Sequence, residues 1–434
     1  MKVLMFGWEF PPHISGGLGT ACYGLSLGLL NNGVEVLFVV PRVFGDEPAS
    51  GIQLLNASNI PLDVVRESHR EVWKKFTMIS IHSLLRPYLS ALEYRRLTET
   101  ALQEKTDIHR DIFSTTFTFS GEYGSDLFNE VARYALIAAR LASILEFDVI
   151  HAHDWLTYPA GMAARGVSGK PFIAHVHATE FDRSGENINQ QVYDLERAGM
   201  QAADKIIAVS NFTRNIIISR YGIAPEKVVT VHNAVMPAYT IAGNYAKPFP
   251  EKLVTFLGRI TFQKGPDYFV EAAYRVLQKD KNVRFAMAGT GDMLEKIIKR
   301  VAQLRISSRF HFTGFLKGDE VDRIFAMSDV YVMPSVSEPF GISPLEAMRS
   351  SVPVIISRQS GVAEILKHAI KVNFWDIDAI ADSIYGLLHY KGINKMFEKY
   401  GKEEVEKLKW DDAAAKVKAI YQTLIHQTSE TMVY

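Results

Sequence analysis

Apolar residues fall in short unbroken runs along most of this chain, and each run is followed by a stretch of helical period. Residues 3–6 predict a buried strand, followed by a glycine-rich turn and an apolar helix from about Leu18 that Asn32-Gly33 closes. Residues 34–40, apolar except for Glu35, predict a second strand. Runs without in/out alternation suit a parallel sheet covered on both faces. From about Pro41 to Ser125 the period is lost among mixed charges and scattered aromatics, which reads as a large insertion. Alternation resumes with a helix over 127–145, strands at 149–152, 172–176 and 205–209, a helix over 212–221 and a strand at 228–231.

Pro237, Gly243, Pro248 and Pro250 then crowd a stretch with no apolar period, which is a linker composition. The pattern restarts with strands at 254–257, 283–288, 310–313, 330–333 and 354–356. Helices are expected between them: from Pro266, from about Asp292, up to about Met327, and through Glu346. Two successive α/β units predict two doubly wound domains facing across a cleft, with ligands beyond the carboxyl ends of the strands. The expected division is 1–240 with its insertion at 41–125, then 241–410, then a terminal helix over 411–434.

Composition narrows the function without naming it. The 434 residues carry 48 Lys+Arg and 48 Asp+Glu, a balance that argues against a nucleic-acid binder, whose affinity rests on clustered cations. One cysteine, Cys22, excludes disulfide staples and cysteine-rich zinc sites. The apolar run after Lys2 is shorter than a signal-peptide core, and no run approaches the roughly 18 uninterrupted apolar residues of a membrane span. A cytoplasmic protein is expected.

Four segments could carry chemistry. Gly16-Gly17 and Gly19 lie between the first strand and its helix, where glycines let backbone N–H groups approach an anion. A dinucleotide reading fails there: Cys22 stands where a third glycine is needed, and no acidic residue ends the second strand. His151-x-His153-Asp154 and His175-x-His177 each place two imidazoles on one face of a strand. A metal-dependent hydrolase is the sharper reading of these pairs, but Trp155 and Leu156 stand where further ligands are expected, so one histidine in the cleft is preferred. Glu338, Phe340, Gly341, Ile342 and Glu346 surround an expected helix start, with Glu346 about two turns in. Two carboxylates beside helix-end amides suit a ligand with both hydroxyls and phosphate. Arg259 and Lys264, five apart beside Gly258 and Gly265, suit a pyrophosphate. Asp376-Ile377-Asp378 reads as a helix cap rather than a metal-binding pair.

Together these segments resemble the retaining glycosyltransferases of the GT-B fold, especially glycosyltransferase family 4 and its glycogen-synthase-like relatives. The Glu-x7-Glu element and the preceding Arg/Lys pair are the specific part of the likeness. The resemblance implies two Rossmann-like domains with a C-terminal helix crossing back to the first, Trp410 opening that terminal element. It implies that Arg259 and Lys264 hold the donor diphosphate, Glu338 the hexose 3- and 4-hydroxyls, and Glu346 the ribose. His177 falls beside the donor sugar, Asp154 on the acceptor side, Gly16 and Gly17 at the donor, and the backbone around Phe315 at the base. Ile14 stands where bacterial glycogen synthases carry a lysine, and Glu346 is a glutamate they usually lack, which favours family 4.

The resulting expectation is a retaining hexosyltransferase that needs no cofactor and no metal. The ADP-, UDP- or GDP-sugar is its donor, an α-glucan its preferred acceptor, and glycogen-type synthesis its best-fitting role. The alternatives are a surface polysaccharide or glycolipid transferase and, from other classes, a nucleotide-sugar epimerase or a metal-dependent hydrolase. Peripheral membrane contact is not indicated, though Lys74-Lys75 and Arg95-Arg96 keep it open.

Overall fold

A computed structural model describes residues 1–13, 16–48, 51–60, 119–120, 126–237 and 247–431. Ile14, the basic pairs at 74–75 and 95–96, and much of the 237–250 linker lie outside the described residues. The first sheet has seven strands: β1 Lys2–Phe6, β2 Glu35–Val40, β3 Gln53–Asn56, β4 Val149–His153, β5 Phe172–Val176, β6 Lys205–Ala208 and β7 Val228–Thr230. All pair in parallel, in the order β3-β2-β1-β4-β5-β6-β7. The second sheet has six: β8 Lys252–Leu257, β9 Val283–Ala288, β10 Phe310–Gly314, β11 Val330–Met333, β12 Val354–Ser357 and β13 Ile370–Val372. It repeats the arrangement in the order β10-β9-β8-β11-β12-β13, again all parallel. Strand order reverses beside β1 and beside β8, so each domain has its switch point at the carboxyl ends of its central strands. This is the two-domain GT-B architecture.

Two segments depart from the expected pattern. Within the 41–125 insertion, where no period is legible, Gln53–Asn56 pairs in register with Leu37–Val40 and forms the sheet's edge. Its residues alternate weakly because an edge strand is only half covered. The helix expected through Glu346 spans only Ser343–Arg349. Gly341 at φ +101° and Pro344 at the helix start keep residues 338–342 out of it, so Glu346 lies in its first turn, not its second. Helices at Tyr158–Ser168, Glu180–Ser184 and Gln190–Ala202 were not anticipated.

The C-terminal helix Trp410–Thr431 returns to the first domain and packs on the helix Gly17–Asn31. Glycines one turn apart make the seat. A Cβ on Gly24 would meet the Trp410 indole at 2.3 Å, and one on Gly28 the Trp410 carbonyl at 2.5 Å. Val417, Tyr421 and Leu424 continue the contact into the core beside β1, β2 and β4. Among the described residues, no helix is long and apolar enough to cross a membrane.

Candidate active site

The loops that follow β5 and β6 meet the loops that follow β8, β11 and β12. Ser337 donates to Asp182 Oδ1 at 2.6 Å, and Ser210 donates to the Pro339 carbonyl at 2.6 Å. Glu364 accepts from the Asn211 and Phe212 amides at 2.9 and 2.6 Å, and its carboxylate also bonds the His232 ring. Gly361 fits this seam because a Cβ there would strike Pro339 O at 2.2 Å and Ser210 Cβ at 2.4 Å. Phe262, beside Lys264, reaches Gly185 just beyond the helix Glu180–Ser184. The segments carrying the two sets of candidate residues are therefore neighbours across one seam.

On the second-domain side the charges are paired. Lys264 donates to Glu338 Oε2 at 2.5 Å, and Ser335 donates to the same oxygen at 3.1 Å. The two side chains come from the turn after β8 and the loop after β11, and only 20% and 7% of their surfaces are exposed. The Glu338 backbone is held in turn: its N–H donates to Gln359 O, and its carbonyl accepts from Gly361. Arg259 donates to Gln263 at 3.3 Å. Glycine is required here by backbone packing. A Cβ on Gly265, at φ +66°, would meet Pro334 O at 2.1 Å, and one on Gly289 would meet Gly258 O at 1.9 Å. Glu346 is half-buried, and burial pushes its carboxyl up, with Arg349 pulling the other way. Phe340 is buried, Ile342 half-buried, and Phe315 is 43% exposed.

The first-domain side sets neutral rings beside a buried ion-pair group, in which Arg183 bonds Glu180 and Glu196. The register His153↔His175 sets both histidine pairs side by side on one face. Tyr421 OH bonds His151 Nδ1 at 2.5 Å, His151 Nε2 bonds His175 Nδ1 at 3.1 Å, and His153 Nδ1 bonds His177 Nε2 at 2.9 Å. Burial lowers the pKa of His151 and His177 to about 3 and that of the other two well below the usual imidazole value. All four rings are therefore uncharged near neutrality. His177 alone is half-buried.

Asp154 sits at φ +60°, a strained backbone for a residue other than glycine. Its Oδ1 accepts the His177 amide at 2.6 Å and the Ala178 amide at 3.3 Å. Burial nevertheless raises its carboxyl to about 7, against the pull of Arg183 and these amides. Gly16 and Gly17 open the helix Gly17–Asn31, and among the described residues nothing lies within 4 Å of where a Cβ would stand, which leaves room for a ligand against the backbone. Asp376 caps the helix Ile377–His389 by accepting from Ala379 at 3.0 Å.

Sequence reasoning missed the partners that join distant segments: Tyr421 on His151, Asp182 on Ser337, and Glu364 on Asn211. The period-two histidines in two strands were the available signal for the four-ring cluster, but only the strand register makes them adjacent.

Comparison with known proteins agrees with this arrangement. Residues 115–239 match the family described as Glycosyltransferase Family 4, and residues 240–404 match Glycosyl transferases group 1. An uncharacterized glycosyltransferase of Methanocaldococcus jannaschii is 26% identical, over 97% of this chain and 98% of its own. A glycogen synthase of Mycobacterium tuberculosis is 24% identical, over 84% of this chain and 80% of its own. The sucrose-phosphate synthase of Thermosynechococcus elongatus superposes with a TM-score of 0.71 at 16% identity, over 98% of this chain and 99% of its own.

Proposed function

The chain belongs to glycosyltransferase family 4, its two family matches running without a gap from residue 115 to residue 404, and we propose that it moves a hexose, glucose by preference, from a nucleoside-diphosphate sugar to an α-glucan with retention at the anomeric carbon. The observation that carries this reading is the Lys264–Glu338 pair, two nearly buried charges held at 2.5 Å beside the seam. A donor diphosphate offers Lys264 a stronger anion than Glu338. When Lys264 turns to it, Glu338 is released to accept hydrogen bonds from sugar hydroxyls.

The difficult event is departure of the nucleoside diphosphate. Lys264 and Arg259 stabilise the charge that grows on the leaving phosphate, in a site where they are already positioned. Asp154 has its Oδ1 engaged by two backbone amides, and Glu338, once released by Lys264, still accepts from Ser335 and from the sugar hydroxyls. Neither carboxylate stands free as a nucleophile, which favours front-face attack by the acceptor, with the leaving phosphate taking its proton. His177 lies against the donor sugar as a neutral ring, Glu346 takes the ribose, the backbone at Phe315 takes the base, and Asp154 faces the acceptor. The reaction runs in the cytoplasm and needs no metal or other cofactor.

A nucleotide-release screen crossing ADP-, UDP- and GDP-sugars with glucan and lipid acceptors tests the reading. Maltooligosaccharides should accelerate release without detergent. Turnover on membrane extracts alone would replace the α-glucan by a lipid-linked acceptor. Donor conversion with no acceptor would replace transfer by epimerisation.

A further inference from the structure

Beside His177 lie two side chains, Cys22 and His153, to which the proposed sugar transfer gives no role. Cys22, the only cysteine in the chain, sits 1% exposed on the inner face of the helix Gly17–Asn31. Its Sγ, one ring nitrogen of His153 and one of His177 all lie within 4.8 Å of one another. His153 is fully buried, and among the described residues its Nε2 has no hydrogen-bond partner, a condition that His175 Nε2 shares. A buried polar atom left without a partner carries its full desolvation cost, which a bound ion would offset.

We propose that Cys22, His153 and His177 form a binding site for one zinc-like divalent cation per chain. Sulfur and imidazole nitrogen are the donors that zinc selects over calcium or magnesium. Coordination displaces the thiol proton, and the resulting thiolate supplies negative charge against the ion. In a tetrahedral zinc site the donors stand roughly 3.5 Å apart, so shifts on the order of 1 Å close this group around an ion. His177, half-buried at the seam, gives the ion its way in and leaves a fourth position for water.

A second trio, His151, His153 and His175, also lies within 4.8 Å. Its His151 and His175 are bonded to each other, as His153 and His177 are in the first trio, but it holds no thiol to supply an anionic donor. The thiol-containing group is therefore favoured, and the two are separable by experiment.

The full chain, stripped with EDTA, is titrated with Co²⁺ alone and, separately, dialysed against micromolar Zn²⁺ and analysed for metal. The expected results are one zinc per chain and a cobalt–thiolate band in the near ultraviolet, which only Cys22 can produce. Cys22→Ser and Cys22→Ala should each weaken zinc binding by about a hundredfold or more, and the wild-type band decides the matter should neither variant fold. Absence of the band, absence of stoichiometric zinc, or zinc binding unchanged in both variants would overturn the proposal. The assay uses no donor sugar, so its outcome is independent of the transferase reading.

Discussion

The two domains share one topology and differ in how they treat charge at their switch points. The second places Lys264 and Glu338 in contact, with Arg259 close by in sequence, so charge is present and compensated. The first has a compensated cation too, Arg183 between Glu180 and Glu196, but adds four uncharged imidazoles and a carboxyl that burial raises to about 7. A fold therefore dictates where a ligand sits but not what it is. Cations suit a diphosphate whose charge grows during bond cleavage. Neutral rings suit a sugar, which carries none.

The largest expected effect breaks the charged side. Lys264→Ala should lower kcat by about 10²–10³, or roughly 2.7–4 kcal/mol, the usual loss for one preorganised donor, while KM changes much less. It also strands Glu338, so steady-state kinetics should be read beside calorimetry. Lys264→Met/Glu338→Gln should recover the folding stability but not the activity. A variant that raised only KM would make Lys264 a ground-state anchor.

The neutral side should show itself in acid. His151 and His177 stay uncharged in the fold to about pH 3, whereas the unfolded chain protonates its imidazoles near 6.5. Stability is therefore lost as pH falls below 6.5, by about 2 kcal/mol for each ring between pH 6.5 and 5. Asp154 acts in the opposite sense. Its raised carboxyl favours the fold fully below its ordinary value of 3.8, and that contribution is lost as pH rises through about 7. Asp154→Asn should then gain stability at pH 8 relative to the parent. Urea titrations of the parent and of Asp154→Asn across this range separate the two slopes, and a flat profile between pH 6.5 and 5 in Asp154→Asn would remove the claim of buried neutral rings.

Smaller effects sharpen the contrast. Glu346→Ala should raise donor KM about tenfold with kcat nearly unchanged, since a charge-assisted ribose contact worth about 1.5 kcal/mol is the same before and during reaction. Tyr421→Phe removes the hydroxyl on His151 and should cost about 1 kcal/mol of stability, leaving donor binding alone. EDTA should abolish nothing, because the cations occupy the place where other transferases use a metal. Loss of activity on chelation, with rescue by one divalent ion, would favour the hydrolase.

Much of this contrast was legible in the sequence, and the limit has a physical cause. Unbroken apolar runs gave the parallel strands, because a strand covered on both faces leaves no other pattern. Arg259, Lys264, Glu338 and Glu346 were legible because strand ends in such folds point at ligands. The Lys264–Glu338 pair was not, since its members are 74 residues apart and nothing local joins them. Tyr421 is 270 residues from His151. Gly24 and Gly28 leave a groove on their helix that Trp410 fills, and Trp410 lies near the opposite end of the chain. The early start assigned to the helix through Glu346 failed because Gly341 and Pro344 outweigh the apolar residues around them.

Calorimetric titration of ADP, UDP and GDP, each beside its monophosphate, tests the central claim most directly. The division of charge predicts that the preferred diphosphate binds more tightly than its monophosphate, that Lys264→Ala erases this preference, and that His177→Ala leaves it intact. A preference that survives Lys264→Ala, or that disappears with His177→Ala, would contradict the assignment of the diphosphate to the second domain.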